Sequence, residues 1–226
     1  MIFFRIAGII LIVFSIAYVI SFFALNRTFG YPGITRKPTN DILRRFADGG
    51  PRLIAFWYAF AMSAVLIIPM SLFFQLVFVE SHRYLATSAA VVGALNGLVQ
   101  AVALFRWIFL VPNLAKQYST PSDSPATRDA VAVVFHAVHR YVGIGIGEHL
   151  GSLLTGVWTL LISSMMFSTP IYGSTLAIVG MVAAIAILVG LMEPVGWKAA
   201  ATINTIGYLV WAGWLLVSGV ILLGVS

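Results

Sequence analysis

The sequence predicts an all-α protein, an integral membrane bundle of six transmembrane helices with short interfacial helices, and three observations carry that reading. First, 61% of the 226 residues are hydrophobic and only 9% are charged, with a mean hydropathy of +1.01, outside the range of soluble domains. Second, the apolar residues collect in runs at 3–25, 53–79, 85–111, 143–167, 171–192 and 202–224. Each is long enough to cross the ~30 Å hydrocarbon core as a helix. Third, the basic residues lie mostly between these runs, as a topology signal requires. Six crossings leave too few residues for a separate soluble domain, so residues 1–226 are read as a single six-helix transmembrane domain.

Composition removes several function classes. The chain has no cysteine, which excludes disulfides, thiolate metal sites and iron–sulfur clusters. The net charge of +6 would suggest nucleic acid in a soluble protein. Here it reads as a topology signal and as contact with anionic headgroups at the cytoplasmic face, so the expected partner is the lipid bilayer and no nucleic acid.

Taken in order, run 3–25 is read as a helix rather than a leader, because its apolar core exceeds the usual 7–15 residues and no small-residue cleavage site precedes Asn26. Segment 26–52 is basic, with Arg27, Arg36, Lys37, Arg44, Arg45 and Arg52 against Asp41 and Asp48. Within it PTNDILRRFADGG predicts a short interfacial helix, capped by Asn40 or Thr39, with Ile42, Leu43 and Phe46 as its apolar side and Gly49-Gly50 as its stop. Helix two starts at Leu53 and carries Pro69 near its middle, where a backbone hydrogen bond is lost. The loop around Glu80-Ser81-His82-Arg83 is short, and His82 is read as solvated.

Helix three carries Asn96 and Gln100 on one face, then Arg106 and Trp107, while Ala89, Gly93, Ala94 and Gly97 permit close approach of a neighbour. Pro112 is expected to end this span, and QYSTPSDSPATRD to form a turn-rich linker. Helix five is nearly featureless and closes at Glu193-Pro194. Helix six places Asn204, Tyr208, Trp211, Leu215 and Ser218 within about 40° of one line. No internal repeat of the kind seen in inverted-topology transporters is present.

The fourth stretch, Thr127 to Met166, is the most informative. It holds three of the four histidines and Glu148, the one carboxylate well inside an apolar run. Its first half places Arg128, His139, His136, Asp129 and Arg140 in an arc about 120° wide, which suits a helix lying on the membrane surface. Ser124 is its expected N-cap, with Pro125 at the first helical position. In that setting His136 and His139 are solvated. The second half, 143–167, crosses. There Tyr141, Gly145, Glu148, Ser152, Thr155, Thr159 and Ser163 lie within about 40° of one line, a polar stripe that must face protein or water because lipid cannot satisfy it. The Gly143-x-Gly145-x-Gly147 run lacks the preceding strand of a nucleotide fingerprint and reads as close packing or a bend. No HExxH signature is present, and no metal site is assigned.

The candidate ligand-binding residues are Arg106, Glu148, His149, Asn96 and Gln100, lining a site between helices three and four. Arg106 lies about 9 Å inside Pro112 and Glu148 about 12 Å beyond Arg140, so their depths nearly match and an ion pair flanked by His149 is expected. A lone charge at mid-membrane costs roughly 2.5–3.5 kcal/mol, which favours such a partner.

The runs LFRWIFLVPNLAKQY, VFHAVHRYVGIGIGEHLGSLLTGVWTLL and RRFADGGPRL resemble a family of small bacterial multi-pass membrane proteins classed as a domain of unknown function. The resemblance covers most of the chain and implies six helices and a plasma-membrane location; it implies no reaction and no cofactor.

Three kinds of function follow from the residues. One is a bundle that binds or transports a small molecule or ion. The alternative is a membrane-embedded enzyme using Glu148 or His149 as general base, with a metal held by histidines, or an accessory protein whose polar stripe only joins helices. Catalysis and cofactor stay open. The odd loops hold ten Lys/Arg residues when Arg140 is counted with loop three, against Arg5 and Arg83 on the other side, so both termini are expected outside the cytoplasm.

Overall fold

The computed structural model describes residues 2–120 and 124–225. Its elements are α1 (Ile2–Phe29), a 3-10 turn (Gly33–Arg36), α2 (Thr39–Phe74), a 3-10 turn (Gln75–Val77), α3 (Arg83–Phe109) and α4 (Val111–Ser119). There follow α5 (Pro125–Val138), a π-helix (His139–Leu150), α6 (Gly151–Met166), α7 (Ser174–Val189), a 3-10 turn (Gly190–Val195) and α8 (Ala200–Gly224). Among the described residues six helical stretches are long and apolar enough to cross a membrane, and no strand is present.

The six stretches pack in chain order as a closed ring. α1 meets α2, α2 meets α3, α3 meets the π-helix and α6, α6 meets α7, α7 meets α8, and α8 returns to α1. The closing contact depends on small residues. A Cβ added at Gly8 would stand 2.8 Å from the Gly219 carbonyl oxygen, and one added at Gly219 would stand 2.8 Å from that of Gly8, so the α1 and α8 backbones touch where neither has a side chain. Outward faces carry Ile9, Val13, Ile20, Leu98, Val182 and Ile185, all exposed, as a lipid-facing surface should.

The interfacial helix of loop one is present as the first part of α2. Gly50 breaks the helical path with φ 56 and ψ −157, and Pro51 starts the spanning part. Only glycine adopts this backbone without strain. Ile42, Leu43 and Phe46 are buried, as expected from the pattern. The cap differs: Thr39 is already helical, Pro38 occupies the cap position, and no side chain caps the first turn. The Pro38 carbonyl instead accepts from the Asp41 and Ile42 N–H groups, at 3.0 and 3.2 Å.

Helix three does end beside Pro112, at Phe109, and Pro112 then sits in the first turn of α4, a position where its missing N–H costs nothing. Two further expectations are corrected. His82 is not simply solvated, since its Nε2 lies 2.6 Å from Ser168 Oγ and joins two loops at that end of the bundle. The surface helix and the fourth span are not separate units. Ser124 caps α5 by accepting from the Thr127 N–H, as the sequence predicts, but the helix then runs unbroken to Met166 through the π-helix. At 1.5 Å per residue its 42 residues reach about 60 Å, twice the hydrocarbon thickness, so its first turns extend beyond the apolar layer. The linker residues 121–123 lie outside the described residues.

Candidate functional site

The π-helix positions the site. Its i→i+5 bonding widens each turn, and Gly143 and Gly147 let it lie against α3, where an added Cβ would stand 2.6 Å from Arg106 Nη2 and 2.5 Å from Ala103 Cβ. The change of pitch re-phases the polar stripe. Ser152, Thr155, Thr159 and Ser163 are buried as predicted, whereas Tyr141 is turned out at 72% exposure and leaves the stripe.

The stripe of α6 faces the polar face of α8, and α3 completes a buried network among them. Gln100 Nε2 donates to Asn96 Oδ1 at 3.0 Å and to Thr155 Oγ1 at 3.1 Å. Tyr208 donates its hydroxyl to Thr155 Oγ1 at 3.3 Å. Asn204 Nδ2 donates to Ser152 Oγ at 3.1 Å and to the Ile187 carbonyl at 2.7 Å, tying in α7. Of the sequence candidates, Asn96 belongs to this packing network, fully buried, while Gln100 reaches from it to a cavity.

That cavity, about 960 Å³, lies inside the ring at the end where loops one, three and five meet. Tyr18, Phe22, Phe60 and Tyr208 form an aromatic wall, and Gln100, Arg106, Glu148, His149 and His139 also line it. The structure therefore brings Arg106, Glu148, His149 and Gln100 to one space, with His149 itself exposed at the rim.

The expected ion pair between Arg106 and Glu148 is not made. Glu148 is held by Arg36, from loop one: Nη2 donates to Oε2 at 2.6 Å and Nη1 to Oε1 at 3.3 Å. The same guanidinium takes Glu193, through Nε to Oε1 at 3.0 Å and Nη2 to Oε2 at 2.8 Å. One planar fork thus receives two carboxylates, each on two nitrogens. Burial works against the charge of Arg36, but the hydrogen bond with Glu193 and the charges of Glu148 and Glu193 outweigh it and hold its pKa above the ordinary value. Sequence reasoning counted Arg36 only as a topology charge and Glu193 only as a helix stop. A hint was available in Pro32 and Pro38, which bracket Arg36 in a short, stiff loop.

Residues 30–38 form a strap over the cavity. Asn26 Nδ2 donates to the Tyr31 carbonyl at 2.7 Å, and the Tyr31 ring stands edge-on to Trp57 and Phe60 at 5.3 and 5.7 Å. Burial, then the charge of Glu148, holds the Tyr31 phenol well above its ordinary pKa, so it is neutral. His139 closes the strap from the other side. It is buried, not solvated: its Nε2–H donates to the Thr35 carbonyl at 2.9 Å and its ring stacks on Phe135 at 5.2 Å. The continuous helix turns His139 inward, while His136, one turn earlier, stays exposed.

Arg106 is the other basic group of the interior, 8% exposed. Its Nη1 donates to the Ala103 carbonyl, and its guanidinium carbon stands 5.0 Å from the Trp107 ring centre, a cation–π contact. No carboxylate lies within ion-pair distance of it among the described residues, and Nε has no acceptor. Space for it is reserved by Gly143, where a Cβ would stand 2.6 Å from Nη2. No group of three or more His, Asp or Glu side chains is arranged to hold a metal among the described residues.

A ring of six apolar helices around a buried hydrogen-bond network and an internal cavity defines a multi-pass membrane protein. The chain belongs to the DUF4386 family, a domain of unknown function, which matches residues 6–219. No curated protein matches it, and no solved structure matches it.

Proposed function

We propose that the protein is a binding or transport bundle whose small-molecule or ion ligand occupies the cavity inside the helix ring. The observation that carries this reading is the cavity itself, about 960 Å³ at one end of the bundle, lined by aromatic side chains and a few convergent polar groups. Ligand sites have this size and this mixture of walls, whereas helix packing alone leaves voids little larger than a water molecule. The strap supports it further, because a segment held by one arginine, one histidine contact, one asparagine contact and aromatic edges is able to open without unpacking a helix.

We place the protein in a bacterial plasma membrane, as the family resemblance implies, and put the strapped end in the cytoplasm and both termini outside on the bias of Lys and Arg toward loops one, three and five. Those basic loops then meet anionic headgroups. The absence of cysteine makes a direct test simple. Single cysteines introduced as Leu104→Cys and Thr205→Cys, which line the cavity, are expected to react with a small aqueous methanethiosulfonate reagent. Ala89→Cys, in the packed interior, is expected to stay inert. If the two cavity cysteines are as unreactive as the control, the space is closed to ligands and the reading fails.

A further inference from the structure

The cavity lining has a charge imbalance. Four cationic side chains line it, Arg36, Lys37, Arg106 and Arg140, against two carboxylates, Glu148 and Glu193. Both carboxylates are already taken by Arg36. Arg106 is left as a buried cation with no ion-pair partner among the described residues, fixed by the Ala103 carbonyl and the Trp107 face, and with its Nε unused. Burying a cation without a counter-charge is unfavourable, and an apolar side chain would cover Ala103 and Gly143 without that penalty. A guanidinium held this way is a preorganised receptor for anionic oxygens, because its orientation is set before anything binds.

Resting on the reading of the cavity as a binding chamber, we propose that its ligand is a small organic anion with an apolar body. Arg106 takes the carboxylate or phosphate oxygens, and the body lies along Tyr18, Phe22 and Phe60. Tyr31 and Arg36 of the strap line the same cavity as the aromatic wall. Such an anion comes either from the bilayer, as an anionic lipid or fatty acid, or from water, as a soluble amphiphilic acid. The chemistry at Arg106 is the same for both.

The test uses the full chain in nanodiscs of zwitterionic lipid, with decanoate, decyl phosphate, decanol and decyltrimethylammonium as probes, and calorimetric titration corrected against empty discs. The anions are expected to bind saturably, one per chain, with decanol and the cation at least ten-fold weaker. Arg106→Gln is expected to weaken the anions at least ten-fold and leave decanol unchanged, and Arg106→Lys to keep the preference for anions. Adding phosphatidylglycerol to the discs separates the sources. Weaker apparent binding of decanoate with rising phosphatidylglycerol identifies an anionic lipid as occupant, and unchanged binding identifies a soluble acid. Equal binding of decanol or the cation, no binding of either anion, or an Arg106→Gln variant that binds decanoate as before would each overturn the inference. Should Arg106→Gln not fold, the probe series on the unaltered chain still decides. A failed probe series beside a reactive Leu104→Cys overturns this inference alone; an inert Leu104→Cys overturns the cavity reading as well.

Discussion

Breaking the Arg36 fork should cost more than removing either acid it holds. Arg36→Ala leaves Glu148 and Glu193 facing each other without a cation, whereas Glu148→Ala or Glu193→Ala leaves Arg36 with one carboxylate still bound on two nitrogens. The side chains are 34% exposed for Arg36, 27% for Glu148 and 34% for Glu193, so the site lies between surface and interior. Exposed pairs are worth about 0.2–1 kcal/mol and breaking a buried one costs about 3–5 kcal/mol, which places Arg36→Ala near 2 kcal/mol and each acid near 1 kcal/mol. In a double-mutant cycle, Arg36 and Glu148 should couple by about 1.5 kcal/mol, while Arg106 and Glu148, which share the cavity but no ion pair, should couple by less than about 0.5 kcal/mol. The assay is equilibrium unfolding in mixed micelles with increasing sodium dodecyl sulfate, followed by tryptophan fluorescence. A larger coupling for Arg106 with Glu148 than for Arg36 with Glu148 would refute the assignment of Arg36 as the partner of Glu148.

Three further outcomes are expected. Diethylpyrocarbonate should modify His136 in intact membranes and spare His139, whose ring is stacked on Phe135 and bonded to Thr35; mass spectrometry showing equal modification would contradict the buried placement. Gly143→Ala should displace the Arg106 guanidinium and destabilise the fold by roughly 1–3 kcal/mol, an effect that Arg106→Ala in the same chain should largely remove; persistence of the full loss in the double variant would show that Gly143 serves the π-helix instead. A periplasm-active reporter fused to the end of the chain should be active, and its silence would reverse the proposed orientation.

Much of this protein was legible in one dimension because a bilayer constrains sequence more simply than water does. Every spanning segment must be apolar, helical and at least about 20 residues long, so the six spans and the all-α class follow from hydropathy. The same rule made Ser152, Thr155, Thr159 and Ser163 stand out, and all four are buried against protein. The Gly50–Pro51 break was readable from local backbone chemistry.

Which polar groups meet was not legible, because that depends on how the ring closes and on helical pitch. Matching depths on neighbouring helices suggested Arg106 for Glu148. Only the closed ring carries loop one across the bundle, so that Arg36 reaches acids 112 and 157 residues away. The π-helix was equally hidden, since a period of 3.6 residues was assumed throughout the fourth stretch. Wider turns from His139 to Leu150 swing Tyr141 outward, while His139 continues the buried face of Val131 and Phe135 at four-residue spacing. Hydropathy thus determined where the chain crosses, whereas ring closure and one stretch of altered pitch decided which charges find each other and left Arg106 without a counter-ion.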